Sequence, residues 1–202
     1  MGRYIGPKHK LSRRFAENFG GYKKTPLGRK PHKPGQHGPN MRRRKVSTFG
    51  KGLEEKQRLK AYYNIREATL LRIYDQANRM IGNTGENLIV LLERRLDNMV
   101  YRAGLALTPR CARQLVAHGH VEVNGKKVDR ASYVVSPGDE ISIREKSHNH
   151  PQVLEAIEQI SSLVSYMKRD DKKFAATLMT MPKRQDINLH IEERLIVEFL
   201  AH

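Results

Sequence analysis

The stretch Thr108 to Asn124, TPRCARQLVAHGHVEVN, continued by GKKV, leaves the chain few conformational choices. Thr108 is a strong helix N-cap, and Pro109 suits the first helical position, where a missing amide hydrogen costs nothing. Gly119 supplies the matching stop. Val121 and Val123 then alternate with Glu122, and Asn124-Gly125 offers the positive φ angles of a two-residue hairpin turn. A short helix is therefore predicted to hand directly into a tight hairpin. Cys111, Ala112, Leu115 and Val116 form its inward stripe, while Arg110, Arg113, Gln114 and Ala117 share another face. Two guanidiniums one turn apart can each fork onto phosphate or base-edge acceptors, and Ala117 leaves room for close approach.

A solvated helix face is the ordinary meaning of such a pattern, but the charge of the chain argues for a polyanionic partner. The 202 residues carry a formal net charge of +17. Residues 1–60 hold 18 Lys and Arg against 3 Asp and Glu, a net +15, and the remaining residues hold 20 against 18, a net +2. A basic arm joined to nearly neutral folded parts is the expected organisation, with nucleic acid the commonest partner. Cys111 is the only cysteine, which excludes an internal disulfide and a cysteine-based zinc cluster. No apolar run approaches the roughly 18 residues of a membrane span, and MGRYIGPKHK lacks the apolar core of a secretory signal. A soluble, intracellular chain is expected.

Residues 1–50 mix Gly, Pro, Lys, Arg and His and are too poor in apolar residues to offset their ordering entropy, so an extended or disordered arm is predicted. A short helix after Ser12 is allowed by Leu11, Phe15 and Phe19. Tyr4, Phe15, Phe19 and Tyr22 stand among the cations; such rings can stack on unpaired bases, which a mere solubility tail does not require. Helices are predicted from Leu53 and, with Asn64 and Glu67 as a capping box, from about Ile65; Leu70, Ile73, Tyr74, Ala77 and Met80 line the second. In GNTGENL, Gly82 ends one helix and Thr84 starts the next; the lysine of a phosphate-binding loop is missing. The following helix is predicted from Gly85 to Ala103, burying Leu88, Leu91, Leu92, Leu96, Met99 and Val100, with Arg94, Arg95, Asn98 and Arg102 on its polar side. Ser136-Pro137-Gly138-Asp139 reads as a second turn and EISIRE as a third strand, giving two helices on a small antiparallel sheet. Pro151 opens a helix whose Val153, Ile157, Ile160 and Val164 face inward. MKRDDKK reads as a solvated connection, LMTMPKRQDI as a strand or loop, and ERLIVEFLAH as either helix or strand.

The segment from RRLDNMVYRAG through EISIRE resembles the RNA-binding domain named after the fourth protein of the small ribosomal subunit. MGRYIGPKHKLSRR, PGQHG, GLEEKQRLKAYY, GNTGENL and ERLIVEF extend the resemblance almost end to end, to the bacterial or organellar form of that family. It implies an α+β, mainly helical fold: a basic arm (1–50), a helical domain (51–88) completed by 182–202, and an inserted RNA-binding domain (89–181, core motif 93–145). It also implies a structural constituent of the small subunit that binds 16S-type rRNA in the 5′ domain. Subunit assembly would be nucleated there, beside neighbouring small-subunit proteins and near the mRNA entry channel, with a contribution to translational accuracy and a second role as translational autoregulator. A bacterial cytoplasmic ribosome, or an organellar one if the gene is organelle-encoded, is the implied location. No cofactor and no metal are implied: some members hold zinc through four cysteines in the arm, but His9 and Ser12 stand at two of those places, leaving only His9, His32 and His37 as weak ligands.

Carried over by position, the RNA surface comprises Arg94, Arg95, Asn98, Tyr101, Arg102, Thr108, Arg110, Arg113, Gln114, His118, Gly119 and Asn124. Lys126 beyond the turn joins it, as do Arg3, Tyr4, Lys8, Lys10, Arg13, Arg14, Gln36, His37, Arg42, Arg43, Arg44 and Lys45 of the arm. Similar domains are appended to pseudouridine synthases and to an aminoacyl-tRNA synthetase, and Arg95-Leu96-Asp97 is similar to the surroundings of a synthase's catalytic aspartate. An enzyme is nevertheless not expected, because Asp97 lies in a strongly periodic helix and no separate catalytic domain remains.

Overall fold

A computed structural model describes residues 4–7, 9–20, 22, 24–40, 46–160 and 163–201. The chain forms two compact units, one from residues 1–85 with 190–202 and the other from residues 86–189.

In the first unit the helices are α1 (Lys10–Phe15), α2 (Thr48–Tyr62), α3 (Glu67–Asn78) and, at the far end of the chain, α8 (Glu193–Ala201). Ser47 caps α2 by accepting from the Gly50 amide at 3.1 Å. Gly52 lets α8 approach closely, since a Cβ there would stand 3.1 Å from Phe199. Lys56 is buried, holds Glu67 at 2.7 Å and lies 4.4 Å from the Phe199 ring centre, tying α2 to both α3 and α8. The C-terminal segment, undecided by periodicity, is helical because Ile196 is buried and Phe199 packs on α2. The predicted capping box at Asn64 does not form: Asn64 takes a left-handed φ of 49°, Arg66 is the N-cap, and α3 starts at Glu67. Leu70, Ile73 and Ala77 are buried as predicted, whereas Met80 lies beyond the helix end and is exposed.

The arm is more structured than its composition suggests. The helix begins at Lys10, two residues before Ser12, and ends at Phe15, whose ring meets Phe19 edge-on at 5.6 Å. Phe15 is buried, while Ile5 of the same arm is exposed.

The second unit contains most of α4 (Thr84–Glu93), then α5 (Leu96–Arg102), α6 (Pro109–Ala117) and α7 (Pro151–Gln159). Its strands are β1 (Val121–Val123), β2 (Lys126–Lys127), β3 (Glu140–Ile143), β4 (Met167–Asp170) and β5 (Ala175–Leu178), in the order β2-β1-β3-β5-β4 with every pairing antiparallel. Val121 pairs with Ile143 and Val123 with Ile141, so the alternating apolar side chains fall on one face. They meet Leu96, Met99, Val100, Leu115 and Val116 in a single core.

Two expectations change here. The single helix from Gly85 to Ala103 is two, because Arg95 is extended and bridges to Val134; the Arg94 carbonyl accepts from Val135 and the Leu96 amide donates to Tyr133. Pairing with another segment has outcompeted helix continuation. MKRDDKK is not a solvated connection: it holds β4 and the turn into β5, and the Arg169 side chain is only 4% exposed. Its guanidinium donates to the carbonyls of Ile160 at 2.8 Å and Gly104 at 3.2 Å. In α7, Val153 and Ala156 are buried, while Ile160 and Val164 lie past its end.

Candidate nucleic-acid interface

The helix-to-hairpin unit is built as its residues require. The Thr108 hydroxyl accepts from the Cys111 amide at 3.1 Å, Gly119 takes a φ of 72° after α6, and Asn124 and Gly125 take 51° and 73° at the turn. A Cβ on Gly119 would meet Lys127 Cε at 2.4 Å, so this glycine serves both a left-handed stop and a close approach by a lysine. The Asn124 side chain donates to Asp139 Oδ1 at 2.8 Å and accepts from the Glu140 amide at 2.9 Å, locking the hairpin tip to the Ser136–Asp139 turn.

Two buried carboxylates brace the helices beside this unit, Asp97 joining α5 to α6 and Glu93 joining α4 to α5. Asp97 receives Arg95 through a two-point fork at 3.0 and 2.8 Å, the Asn98 amide at 3.1 Å, and Arg113 of α6 at 3.3 Å. Glu93, fully buried, receives Arg102 at 2.6 and 3.3 Å and the Asn98 side-chain amide. Arg95 and Asn98 are therefore not on a polar outer side; they are 3% and 8% exposed and brace the junction of three helices. A buried charge requires a partner, and these carboxylates supply it. Asp97 is 5% exposed, with its carboxylate held by two guanidiniums. Tyr101 packs against the core, and Arg94 donates to the Val135 carbonyl at 2.8 Å.

What remains exposed of the predicted surface in this unit is Gln114, His118, Asn124 and Lys126, with Arg110 and Arg113 half-buried beside them. Three residues beyond the expected surface join this face of the unit: Lys127 and Arg130, both exposed, and Tyr133, 38% exposed. Lys127 follows the hairpin turn and reaches the end of α6; Tyr133 lies on the segment that pairs with residues 94–97. Their cationic and aromatic character was legible in KKVDRASY, their position was not.

In the arm, Lys10, Arg14, Gln36 and His37 are exposed, while Arg13 donates to the His32 and Lys33 carbonyls at 3.3 and 3.4 Å. The Tyr4 hydroxyl donates to the Pro7 carbonyl at 3.4 Å. Arg3, Lys8, Arg42, Arg43, Arg44 and Lys45 lie outside the described residues. Among the described residues no three His, Cys, Asp or Glu side chains gather as they would around a metal ion.

Residues 3–93 match the family model described as ribosomal protein S4/S9 N-terminal domain, and residues 94–141 match the S4 domain. Small ribosomal subunit protein uS4 of Bacillus cereus (strain Q1) is 49% identical over 201 residues, covering 100% of both chains. The chain belongs to the uS4 family. The uS4 of Geobacillus thermodenitrificans (strain NG80-2) is 46% identical over the same length, again with full coverage of both chains. The uS4 family is one of structural, non-enzymatic ribosomal proteins. The boundary between its two matched regions falls between Glu93 and Arg94, where the α4–α5 helix breaks.

Proposed function

We propose that this chain is a structural component of the small ribosomal subunit that binds small-subunit rRNA directly. The observation that carries this reading is the end-to-end identity with uS4 relatives. The net +15 of residues 1–60 supplies long-range attraction, and the face of Gln114, His118, Asn124, Lys126, Arg110 and Arg113 supplies shaped contacts. The half-buried Arg113, positioned by Asp97, presents its guanidinium edge at low entropic cost. In the finer reading the protein binds early in the 5′ domain, nucleates assembly beside other small-subunit proteins, and lies near the mRNA entry channel in a bacterial cytoplasmic ribosome.

The test is titration of purified protein with a 5′-domain rRNA fragment at several salt concentrations. With about six phosphates neutralised, log K should fall against log salt with a slope of about −4 to −5. A slope near zero defeats the electrostatic reading. Omitting the protein from a stepwise reconstitution should block the addition of later proteins, and unhindered addition would remove the nucleating role. A structured segment of the chain's own messenger should compete for the same surface if the protein represses its translation.

A further inference from the structure

The first unit contains a cavity of about 480 Å³ between the start of the arm, the last turns of α2 and the start of α3, with Tyr4, Leu11, Gln57, Asn64, Ile65 and Glu67 in its lining. That volume lies within the roughly 300 to 1,000 Å³ of small-ligand pockets. Its charges close on each other: Lys60, also in the lining, is held by Glu67 at 2.6 Å and by the Gln57 side-chain oxygen at 3.3 Å, and Lys56 holds the other Glu67 oxygen at 2.7 Å. The remaining cation of the lining, Arg66, is exposed. The interior is thus close to neutral and offers little to a free anion. A purely apolar ligand fits no better, because it would bury the Gln57 amide and the ion pair against hydrocarbon.

The walls suit a flat ring with a polar edge. Tyr4 is folded back on its own segment: a Cβ on Gly6 would stand 2.5 Å from the Tyr4 hydroxyl, which donates to the Pro7 carbonyl at 3.4 Å, so the ring is a wall held in place. Leu11, Ala61 and the buried Ile65 add apolar surface. Gln57 uses its oxygen on Lys60, while its amide nitrogen makes no hydrogen bond among the described residues and is not buried. A nucleobase combines two apolar faces with an edge of donors and acceptors, and those faces stack on aromatic rings whatever the base. Tyr4 and the 87% exposed Ile5 belong to the basic arm, which draws in the RNA backbone, so a base on that strand arrives at a local concentration that a free nucleoside lacks.

We propose that this cavity takes one unpaired nucleobase of the RNA, stacked on Tyr4, with its polar edge accepting from Gln57 Nε2. The inference rests on the rRNA-binding reading and deepens it: the first unit recognises a splayed-out, single-stranded nucleotide as well as backbone charge. Gln57 of α2, outside the surface expected from the sequence, becomes a specificity-determining residue.

The test uses the full chain and the 5′-domain rRNA fragment, with chemical probing of the Watson–Crick edges of unpaired bases. The wild type should protect at least one base that Gln57→Leu leaves reactive, and the variant should bind about two- to tenfold more weakly, as expected for one neutral hydrogen bond. Tyr4→Leu removes the stacking surface and should cost about five- to 150-fold. Neither change removes a charge, so the log K against log salt slope should keep its wild-type value, whereas loss of a phosphate contact would make it shallower. In the wild type, the Gln57 side-chain amide resonance should shift on adding rRNA, a readout that does not depend on the folding of any variant. Wild-type affinity and base protection in both variants, with normal binding by the wild type, would overturn the base pocket and leave the rRNA reading standing. A Gln57 resonance that moves with micromolar free nucleoside, or with another small-subunit protein, but not with rRNA would overturn the assignment to an RNA base. Failure of the wild type itself to bind rRNA would defeat the parent reading and this inference with it.

Discussion

Replacing Asp97 by alanine should be among the most damaging single changes in the second unit. Arg95 is 3% exposed and Asp97 5%, and the two share a fork at 3.0 and 2.8 Å. Alanine leaves the Arg95 guanidinium in the interior with its carboxylate gone, and Arg113 loses the same partner. Stranding one half of a buried ion pair costs about 3 to 5 kcal/mol, a large part of the roughly 5 to 15 kcal/mol that stabilises a typical domain. Two units in one chain make a single global transition unsafe to assume, so the assay must report on this unit alone. Cys111 provides the probe: it is the only cysteine, it is half-buried on α6, and burial pushes its thiol pKa up. The rate of thiol labelling against denaturant should show the opening free energy of the Asp97→Ala unit reduced by that amount. A companion Arg95→Met, Asp97→Leu variant should recover the part of the loss that comes from Arg95, whose charge is then no longer stranded, while Arg113 still lacks this carboxylate. A reduction below about 1 kcal/mol in Asp97→Ala would show that Arg95 reaches water and that the bracing argument is wrong.

Gly119→Ala should cost about 1 to 2 kcal/mol by thermal unfolding, since φ is 72° and Lys127 must also withdraw. Thr108→Ala should cost about 1 kcal/mol through loss of the α6 cap, read by the same Cys111 labelling. His120 is held below its usual 6.5 by burial, with His150, His118 and Arg144 adding repulsion. The unfolded chain therefore takes up a proton that the folded chain resists: stability is full above 6.5 and falls as the pH drops through 6.5 toward the lowered folded value. His120→Gln should flatten that part of a melting-temperature profile, and an unchanged acid slope would count against this histidine. Replacing Arg110 and Arg113 together should weaken rRNA binding several-fold to hundreds-fold, at about 1 to 3 kcal/mol for each good contact, and unchanged binding would mean that another face is used.

Local chemistry made part of the molecule legible from the residue order. Thr108, Pro109 and Gly119 bound α6, Asn124-Gly125 makes the hairpin turn, and the alternation of Val121, Val123, Ile141 and Ile143 sets the register, because caps, positive-φ turns and period-two burial act over only a few residues. The concentration of charge in the first third likewise needs no fold to be seen. Only tertiary structure decided the helix break at Arg95, where a distant segment at Val134 takes the backbone bonds that a continuous helix would have used. It also decided that Arg95, Asn98, Arg102 and Arg169 look inward, since a polar side chain reads as surface until the fold buries the carboxylate or carbonyls that hold it, even where those partners are near in sequence. The cavity beside Tyr4 is of the same kind: its lining is spread from Tyr4 to Glu67, and the fold makes those residues neighbours.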